Sequence, residues 1–207
     1  MSRRDKIRGK LYIISGPSGA GKGTICERLV NERKIDLSIS MTTREPREGE
    51  KDGESYYFVS KEEFERNIEE GKMLEYANVF DNIYGTPKEP IEKKLERGRD
   101  VILEIDVQGG LQVREKMPGD TVMIFILPPS IAELRGRLVG RGKDSDEVIK
   151  KRLKGAIDEI RFIGEYDYYI VNDDLDRAIK DALSIIDAER LKVPDKVMPI
   201  IRKYEEE

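Results

Sequence analysis

A glycine-rich segment that contains one lysine carries the clearest chemistry in this sequence. It consists of Gly16, Pro17, Ser18, Gly19, Ala20, Gly21, Lys22, Gly23 and Thr24, and it directly follows the apolar run Leu11–Ile14. Glycines let consecutive backbone N–H groups turn toward an anion, and a helix N-terminus behind them adds partial positive charge. The Lys22 side chain adds a full charge that can reach the β- and γ-phosphates of a nucleotide. The spacing therefore predicts a strand, a phosphate-binding loop and a helix.

The segment departs at one position from the pattern G-x-x-x-x-G-K-[ST]. Gly23 stands where a Ser or Thr hydroxyl usually meets Mg²⁺, and Thr24 follows one residue later. We therefore take Thr24 as the loop hydroxyl that serves the metal. The alternative is a glycine-rich turn without a ligand, but the lysine and the strand-to-helix context favour nucleotide binding.

A second group of candidate residues lies in a turn-rich segment between residues 38 and 58. Arg44, Arg47 and Tyr56 lie there among hydroxyl residues and turn glycines. Guanidinium groups bind planar oxyanions through paired hydrogen bonds, so two of them beside a tyrosine hydroxyl suit a phosphate monoester. A solvated, charged hairpin is the alternative, and this segment alone does not decide between them.

The elements that must position these residues form an α/β pattern. Four short apolar runs predict buried parallel strands at Leu11–Ser15, Val101–Ile105, Thr121–Leu127 and Tyr168–Val171. Helical patterns separate them, as in a parallel sheet flanked by helices. The last helix is predicted to begin after Asp173 as its N-cap. The core is assigned to about 8–35, 91–127 and 166–191.

Two insertions interrupt this core. Residues 36–90 predict short antiparallel strands and one helix that begins at Ser60, with Glu63 completing a capping box. Residues 128–165 are helical and arginine-rich, and Ser130 with Glu133 forms a second capping box. The tail 192–207 is predicted to be a short extra helix, a contact between subunits or a disordered segment.

Composition limits the classes of function. The chain has 207 residues, one Cys and no His, which fits one domain and excludes an internal disulfide, Cys/His zinc sites and histidine general-base catalysis. The net charge of −4 argues against nucleic-acid binding by a general basic surface. No apolar run reaches membrane-spanning length, and the charged N-terminus lacks the apolar core of a signal peptide. We expect a cytoplasmic protein that binds neither nucleic acid nor a membrane.

Several motifs in a fixed order resemble the guanylate kinase family. The loop Gly16–Thr24 is similar to the phosphate loop of that family, and Thr42-Thr43-Arg44-x-Pro-Arg47-x-Gly49-Glu50-x-x-Gly53-x-x-Tyr56 to its GMP-binding signature. Tyr84-Gly85-Thr86, Glu104-Ile-Asp106-Val-Gln-Gly109 and Val171-Asn172-Asp173-Asp174 resemble further patches. The resemblance spans about Arg8 to Leu191. It implies the fold of a P-loop nucleotide kinase with a GMP-binding insertion and a helical lid, and it implies ATP, GMP and Mg²⁺ as ligands.

The resemblance also implies how the GMP site is divided. The 5′-phosphate contacts fall on Arg44, Arg47, Tyr56 and Tyr84, and the base contacts fall on Ser40, Glu75, Thr86 and Asp106. Guanine presents N1–H and N2–H₂ as adjacent donors that one carboxylate can accept, whereas adenine has an acceptor at N1. Glu75 therefore suits guanine selection, because the wrong base leaves buried polar groups unpaired. Without the resemblance, Glu75 would be interpreted as a surface residue.

The remaining candidates serve the metal and the transferred phosphate. Glu104 and Asp106 end a predicted parallel strand, where ligands bind in α/β sheets, and Glu104 is our candidate for Mg²⁺ contact through water. A helix N-cap is the alternative role of Asp106. By position in the family's lid, Arg137, Arg141 and Arg152 close over the phosphates, the alternative being a solvated arginine face. Asn172 falls where the family has its adenine pocket.

These observations predict transfer of the γ-phosphoryl group from ATP to GMP, giving ADP and GDP. Two alternatives stay open: another phosphotransferase on the same fold, such as one that acts on a ribose bisphosphate, and a non-catalytic binding module. The sequence leaves the use of dGMP open, and it does not distinguish a monomer from a homodimer.

Overall fold

The computed structural model describes residues 8–33, 35–79, 81–140, 145–193 and 198–205. Its strands are β1 Leu11–Ser15, β2 Asp36–Leu37, β3 Met41–Thr42, β4 Tyr57–Phe58, β5 Met73–Val79, β6 Asn82–Pro87, β7 Val101–Glu104, β8 Thr121–Leu127 and β9 Tyr168–Val171. Its helices are α1 Lys22–Arg33, α2 Lys61–Glu69, α3 Lys88–Glu96, α4 Val107–Lys116, α5 Ile131–Gly140, α6 Asp146–Ile160, α7 Leu175–Leu191 and α8 Met198–Glu205.

The central sheet has five parallel strands in the order β2-β7-β1-β8-β9. All four predicted strands are present, although β7 ends at Glu104 rather than at Ile105. Residues of β1 alternate between two apolar clusters, Tyr12 and Ile14 on one face and Leu11 and Ile13 on the other. Helices therefore cover both faces, which explains the continuous apolar runs.

The edge strand β2 was not predicted. Asp36 and Leu37 were assigned to the first insertion, but they pair in parallel with Val101 and Ile102 of β7. A strand of two residues, one of them charged, has no periodic pattern that a sequence can reveal. Backbone pairing at the sheet edge therefore defines this strand.

A second sheet has four strands in the order β4-β3-β6-β5. The prediction of antiparallel strands is right for β3 with β6 and for β5 with β6, but it is wrong for β3 with β4, which pair in parallel. The helix α2 begins as predicted, because Ser60 Oγ accepts from the backbone N–H of Glu63 at 3.1 Å. Phe64, Met73 and Ile83 form the small core of this unit.

Two further helix starts were predicted, and one needs correction. Ser130 Oγ accepts from Glu133 N at 3.0 Å, as expected. The N-cap of α7 is Asp174 rather than Asp173, since Asp174 Oδ1 accepts from Arg177 N at 2.8 Å. The tail contains the helix α8. Among the helices that the structure describes, none combines the length and the apolar character needed to cross a bilayer.

Candidate active site

The glycine-rich loop connects β1 to α1, and its glycines adopt conformations that other residues avoid. Gly16, Gly19 and Gly21 have φ angles of 136°, 95° and 95°. A Cβ atom on Gly16 would lie 2.2 Å from the carbonyl oxygen of Ile126, and one on Gly21 would lie 2.3 Å from Nδ2 of Asn172. The loop is thus held close to the ends of β8 and β9, with its open side available to an anion.

Lys22 begins α1 and turns back over this loop. Its Nζ donates to the carbonyl oxygens of Gly16 at 2.6 Å and Pro17 at 3.3 Å. Burial lowers the pKa of Lys22, while the carboxylates of Glu104 and Glu159 act in the opposite direction. The ammonium group is thus held at the loop by acceptors that a phosphate oxygen can replace.

Asn172 and Arg137 support the loop from behind. The buried Asn172 donates from Nδ2 to the carbonyl oxygen of Ala20 at 2.8 Å, and its backbone carbonyl oxygen accepts from Arg137 Nη2 at 2.8 Å. Leu134 and Leu138 of α5 come within 2.9 and 3.2 Å of a Cβ position on Gly19. The structure therefore gives Asn172 and Arg137 a role in shaping the loop, and their contacts with ATP stay predictions.

Arg44 is the centre of the second group of candidate residues. Its Nε donates to Tyr84 Oη at 3.1 Å, and its Nη2 donates to both carboxylate oxygens of Glu50 at 2.8 and 2.9 Å. Its guanidinium carbon lies 5.7 Å from the ring centroid of Tyr56, and the Tyr56 and Tyr84 rings meet edge to face at 5.9 Å. Burial raises the pKa of Tyr56, so its hydroxyl keeps a proton to donate.

Arg47 and Ser40 flank this cluster. The backbone N–H of Arg47 donates to Glu50 Oε2 at 2.8 Å, and its exposed side chain forms no hydrogen bond or ion pair with the described part of the chain. Ser40 lies just before β3, and its carbonyl accepts from Tyr57 N at 2.8 Å. Of the three other residues predicted to contact the phosphate, Tyr56 and Tyr84 lie next to the Arg44 side chain. The third, Arg47, is linked to this cluster through its backbone, by the hydrogen bond from its N–H to Glu50.

Glu75 is buried rather than exposed. Its Oε1 accepts from Thr86 Oγ1 at 2.5 Å across the β5–β6 pair, and its Oε2 lies 3.1 Å from a Cβ position on Gly109. Burial raises the pKa of Glu75 to about 7, against the opposite effect of the Thr86 hydrogen bond. One carboxylate oxygen is thus fixed and the other lies beside the first turn of α4.

The carboxyl end of β7 joins the two regions. Asp106 is the N-cap of α4, because its Oδ1 accepts from Gly109 N at 2.8 Å; this bears out the alternative role and leaves Oδ2 for a ligand. Glu104 lies next to the loop, with its carboxylate oxygens 3.5 and 3.8 Å from a Cβ position on Gly23. Burial raises the pKa of Glu104, and Lys22 lowers it. The hydroxyl residue Thr24 is exposed in the first turn of α1.

The arginine-rich segment is described only in part. Arg137 lies on α5 and Arg152 on α6, whereas Arg141 lies outside the described residues. Two carboxylates at the site were missed. Glu50 binds Arg44, and Glu159 of α6 is close enough to influence the pKa of Lys22. Glu50 is part of the quoted signature, but nothing in the sequence indicated that it pairs with Arg44. No sequence pattern pointed to Glu159.

Comparisons with known proteins agree with one another. The family model described as guanylate kinase matches residues 8–189. The chain is 53% identical to a guanylate kinase of Caldanaerobacter subterraneus over 98% of both chains, and 51% identical to one of Clostridioides difficile over 97% of this chain and 98% of the relative. The crystal structure of guanylate kinase from Anaplasma phagocytophilum superposes with a TM-score of 0.73 at 38% identity, over 91% of this chain and 89% of that one.

Proposed function

The chain belongs to the guanylate kinase family, and on this premise we propose how its residues divide the transfer of the γ-phosphoryl group from ATP to GMP. The family consists of nucleoside monophosphate kinases, so the chain is an ATP:GMP phosphotransferase. The proposal concerns the subsites, the metal and the surroundings of the reaction. Neither nucleic acid nor a membrane takes part in it, and it proceeds in the cytoplasm.

We assign the ATP phosphates to the loop Gly16–Thr24. Backbone N–H groups of the loop and the N-terminus of α1 receive the phosphates, and Lys22 exchanges its carbonyl partners for phosphate oxygens. Asn172 acts on ATP through the loop that it supports. A Cβ atom on Gly16 would meet Ile126 and one on Gly21 would meet Asn172, so neither loop position has room for a side chain.

Mg²⁺ fits this donor site if the phosphates supply most of its ligands. Among the residues described, no group of three or more His, Cys, Asp or Glu side chains could hold a metal. Mg²⁺ commonly keeps several waters and binds through one or two carboxylates together with substrate phosphates. Glu104, through water, and Thr24 are the candidates beside the loop. The bound ion would neutralise charge on the transferred phosphoryl group.

The acceptor phosphate is assigned to Arg44, Arg47, Tyr56 and Tyr84. Arg44 and the two tyrosines already contact one another, so a phosphate can meet three donors with little rearrangement. Tyr84 Oη accepts from Arg44, and its own O–H hydrogen is therefore directed elsewhere and can be donated.

The observation that carries the base assignment is the buried pair of Glu75 and Thr86. Thr86 fixes one carboxylate oxygen, and the other lies beside the first turn of α4, which Asp106 caps. A carboxylate held in this way can accept N1–H and N2–H of guanine, whereas it opposes N1 of adenine. The base contacts proposed are Ser40, Glu75, Thr86 and Asp106.

Transfer itself needs no protein nucleophile or general base, because the attacking atom is already an oxygen of the GMP phosphate. The described site contains carboxylates and arginines but the chain has no histidine. We propose that Arg137, Arg141 and Arg152 neutralise the charge that spreads over the transferred phosphoryl group. Their closure over the phosphates would also exclude the water that hydrolyses ATP.

A coupled assay of ADP formation tests this proposal. The protein is supplied with ATP–Mg²⁺ and, in turn, GMP, dGMP, AMP, CMP, UMP and a ribose bisphosphate. Turnover restricted to guanine nucleotides supports the base site, and dGMP is included because the sequence leaves its use open. Equal turnover with AMP would contradict the role of Glu75, and turnover with a ribose bisphosphate alone would contradict the whole acceptor site.

A further inference from the structure

The carboxylate of Glu50 contacts both arginines of the segment between residues 38 and 58. Its carboxylate accepts two hydrogen bonds from Arg44 Nη2, at 2.8 and 2.9 Å, and a third from the backbone N–H of Arg47 at 2.8 Å. The ion pair is largely shielded, since the Arg44 and Glu50 side chains are only 14% and 23% exposed. One carboxylate thus links the two arginines that the proposed function assigns to the acceptor phosphate.

The loop around Glu50 is built to make these contacts. Gly49 has a φ of 85°, although no atom lies within 4 Å of a Cβ position there, so the glycine serves the backbone rather than the packing. Glu50 N in turn donates to Arg47 O at 3.0 Å and closes a tight turn. The pKa of Glu50 is lowered mainly by the Arg47 N–H and then by Arg44, so the carboxylate is charged at neutral pH.

The hydrogen bonds of Arg44 leave room for a phosphate. A guanidinium group has five N–H donors. Nε is used by Tyr84, Nη2 by Glu50, and Nη1 makes one bond of 2.7 Å, to the carbonyl oxygen of Glu45. Because Nη1 carries two hydrogens, one of its N–H groups has no partner among the described residues. A phosphate can therefore bind Arg44 without displacing Glu50.

We propose that Glu50 is a positioning residue for the acceptor phosphate, which holds the Arg44 guanidinium and the Arg47 backbone in the geometry that receives the 5′-phosphate of GMP. This inference rests on the proposed assignment of Arg44 and Arg47. It concerns the phosphate and not the base, because the contacts of Glu50 do not include Glu75 or Thr86.

The competing possibility, that Glu50 only occupies Arg44 until GMP arrives, predicts the opposite effect of Glu50 on GMP affinity. A carboxylate beside a dianionic ligand repels it, so Glu50 would weaken GMP binding if it only occupied Arg44 until the phosphate displaced it. Neutralising Glu50 would then tighten GMP binding. If Glu50 positions Arg44, neutralising it weakens GMP binding despite the removal of a negative charge.

The experiment compares Glu50→Gln with Glu54→Gln. Glu54 lies on the same segment, is 69% exposed and pairs only with Lys51 at 3.3 Å among the partners described, so its variant removes the same charge without touching Arg44. Calorimetric titration measures the affinity for GMP. Competition against GMP measures the affinity for guanosine, which lacks the phosphate. Glutamine keeps one acceptor oxygen but faces Arg44 or the Arg47 N–H with an NH₂ group. We expect GMP to bind about tenfold more weakly to Glu50→Gln than to Glu54→Gln, with guanosine changed less than about twofold.

Each outcome decides the proposal. Equal or tighter GMP binding by Glu50→Gln overturns it, and so does an equal loss for GMP and guanosine, which would indicate a structural effect on the whole segment. Glu50→Asp, which keeps the charge but is too short to reach both partners, is the second variant if Glu50→Gln does not fold, and it should lower the GMP-to-guanosine affinity ratio as well. Arg44→Met separates the two hypotheses: if it leaves GMP affinity unchanged, the assigned phosphate site fails, whatever Glu50 does.

Discussion

The ionisation of Glu75 should control GMP binding near neutral pH. Burial raises its pKa to about 7 in the protein without ligand. Only the carboxylate can accept both N1–H and N2–H of guanine, and it is about nine-tenths populated at pH 8 and about one-tenth at pH 6. We therefore expect GMP affinity to fall roughly tenfold between pH 8 and pH 6 through this group.

The same shift predicts a cost in stability. A carboxyl group whose pKa is raised on folding holds its proton more tightly in the folded protein. The stability contributed by the neutral form is therefore present below the usual value of 4.5 and is lost as the pH rises to about 7. Above that pH the cost is complete and amounts to roughly 3 kcal/mol. Glu75→Gln removes it, so this variant should resist urea better than the parent protein at pH 8 and equally at pH 4.

Both effects can be measured on one pair of proteins. Calorimetric titration of GMP at pH 6, 7 and 8 is compared between the parent protein and Glu75→Gln, with urea unfolding at the same pH values. The phosphate of GMP also titrates, with a pKa of about 6. The Glu75→Gln variant keeps the arginines assigned to the phosphate, so its pH dependence measures the contribution of phosphate titration alone. It should bind GMP about a hundredfold more weakly at pH 8 and show the shallower pH dependence. Identical slopes for the two proteins, or no gain in stability at pH 8, would refute the reasoning.

Three further substitutions test the site and one of its flanking helices. Lys22→Met should reduce kcat roughly a thousandfold and leave the calorimetric GMP affinity nearly intact; an equal loss of GMP binding would contradict the division of subsites. Gly21→Ala puts a Cβ 2.3 Å from Asn172 Nδ2 at a φ of 95°, so it should cost about 1–3 kcal/mol in urea unfolding and weaken ATP binding. Gly155→Ala, in the interior of α6 with no atom within 4 Å of its Cβ position, should stabilise the protein by up to about 1 kcal/mol; a loss of stability would show that this helix is under strain.

The parts of the fold that the sequence predicted are those with a local pattern. The runs of β1 and β8 are continuous and apolar because both of their faces are covered, and the Ser60 and Ser130 caps follow from side chains three residues from their partners. The strand β2 and the parallel pairing of β3 with β4 depend on chain paths that no local pattern records. The error between Asp173 and Asp174 arose because adjacent aspartates have equal capping ability, and only the backbone geometry decides between them.

The site shows the same limit at the level of side chains. The loop glycines and Lys22 could be identified because their spacing along the sequence is enough to predict a phosphate-binding loop. The burial of Glu75 could not, since the carboxylate is enclosed by Thr86 on one strand and Gly109 on a distant helix. Without the resemblance, both Glu75 and Glu50 would have been interpreted as solvated charges, because a sequence records the charge but not the partner.

The two substrate sites satisfy their charges in different ways before ligands bind. At the donor site, Lys22 is held by the neutral carbonyl oxygens of Gly16 and Pro17, which an incoming phosphate can replace at little electrostatic cost. At the acceptor site, Arg44 is held by the carboxylate of Glu50, which is costly to separate from a shielded guanidinium. On the proposed division of sites, ATP therefore exchanges partners at Lys22, whereas GMP binds a cluster in which Arg44 keeps its ion pair with Glu50.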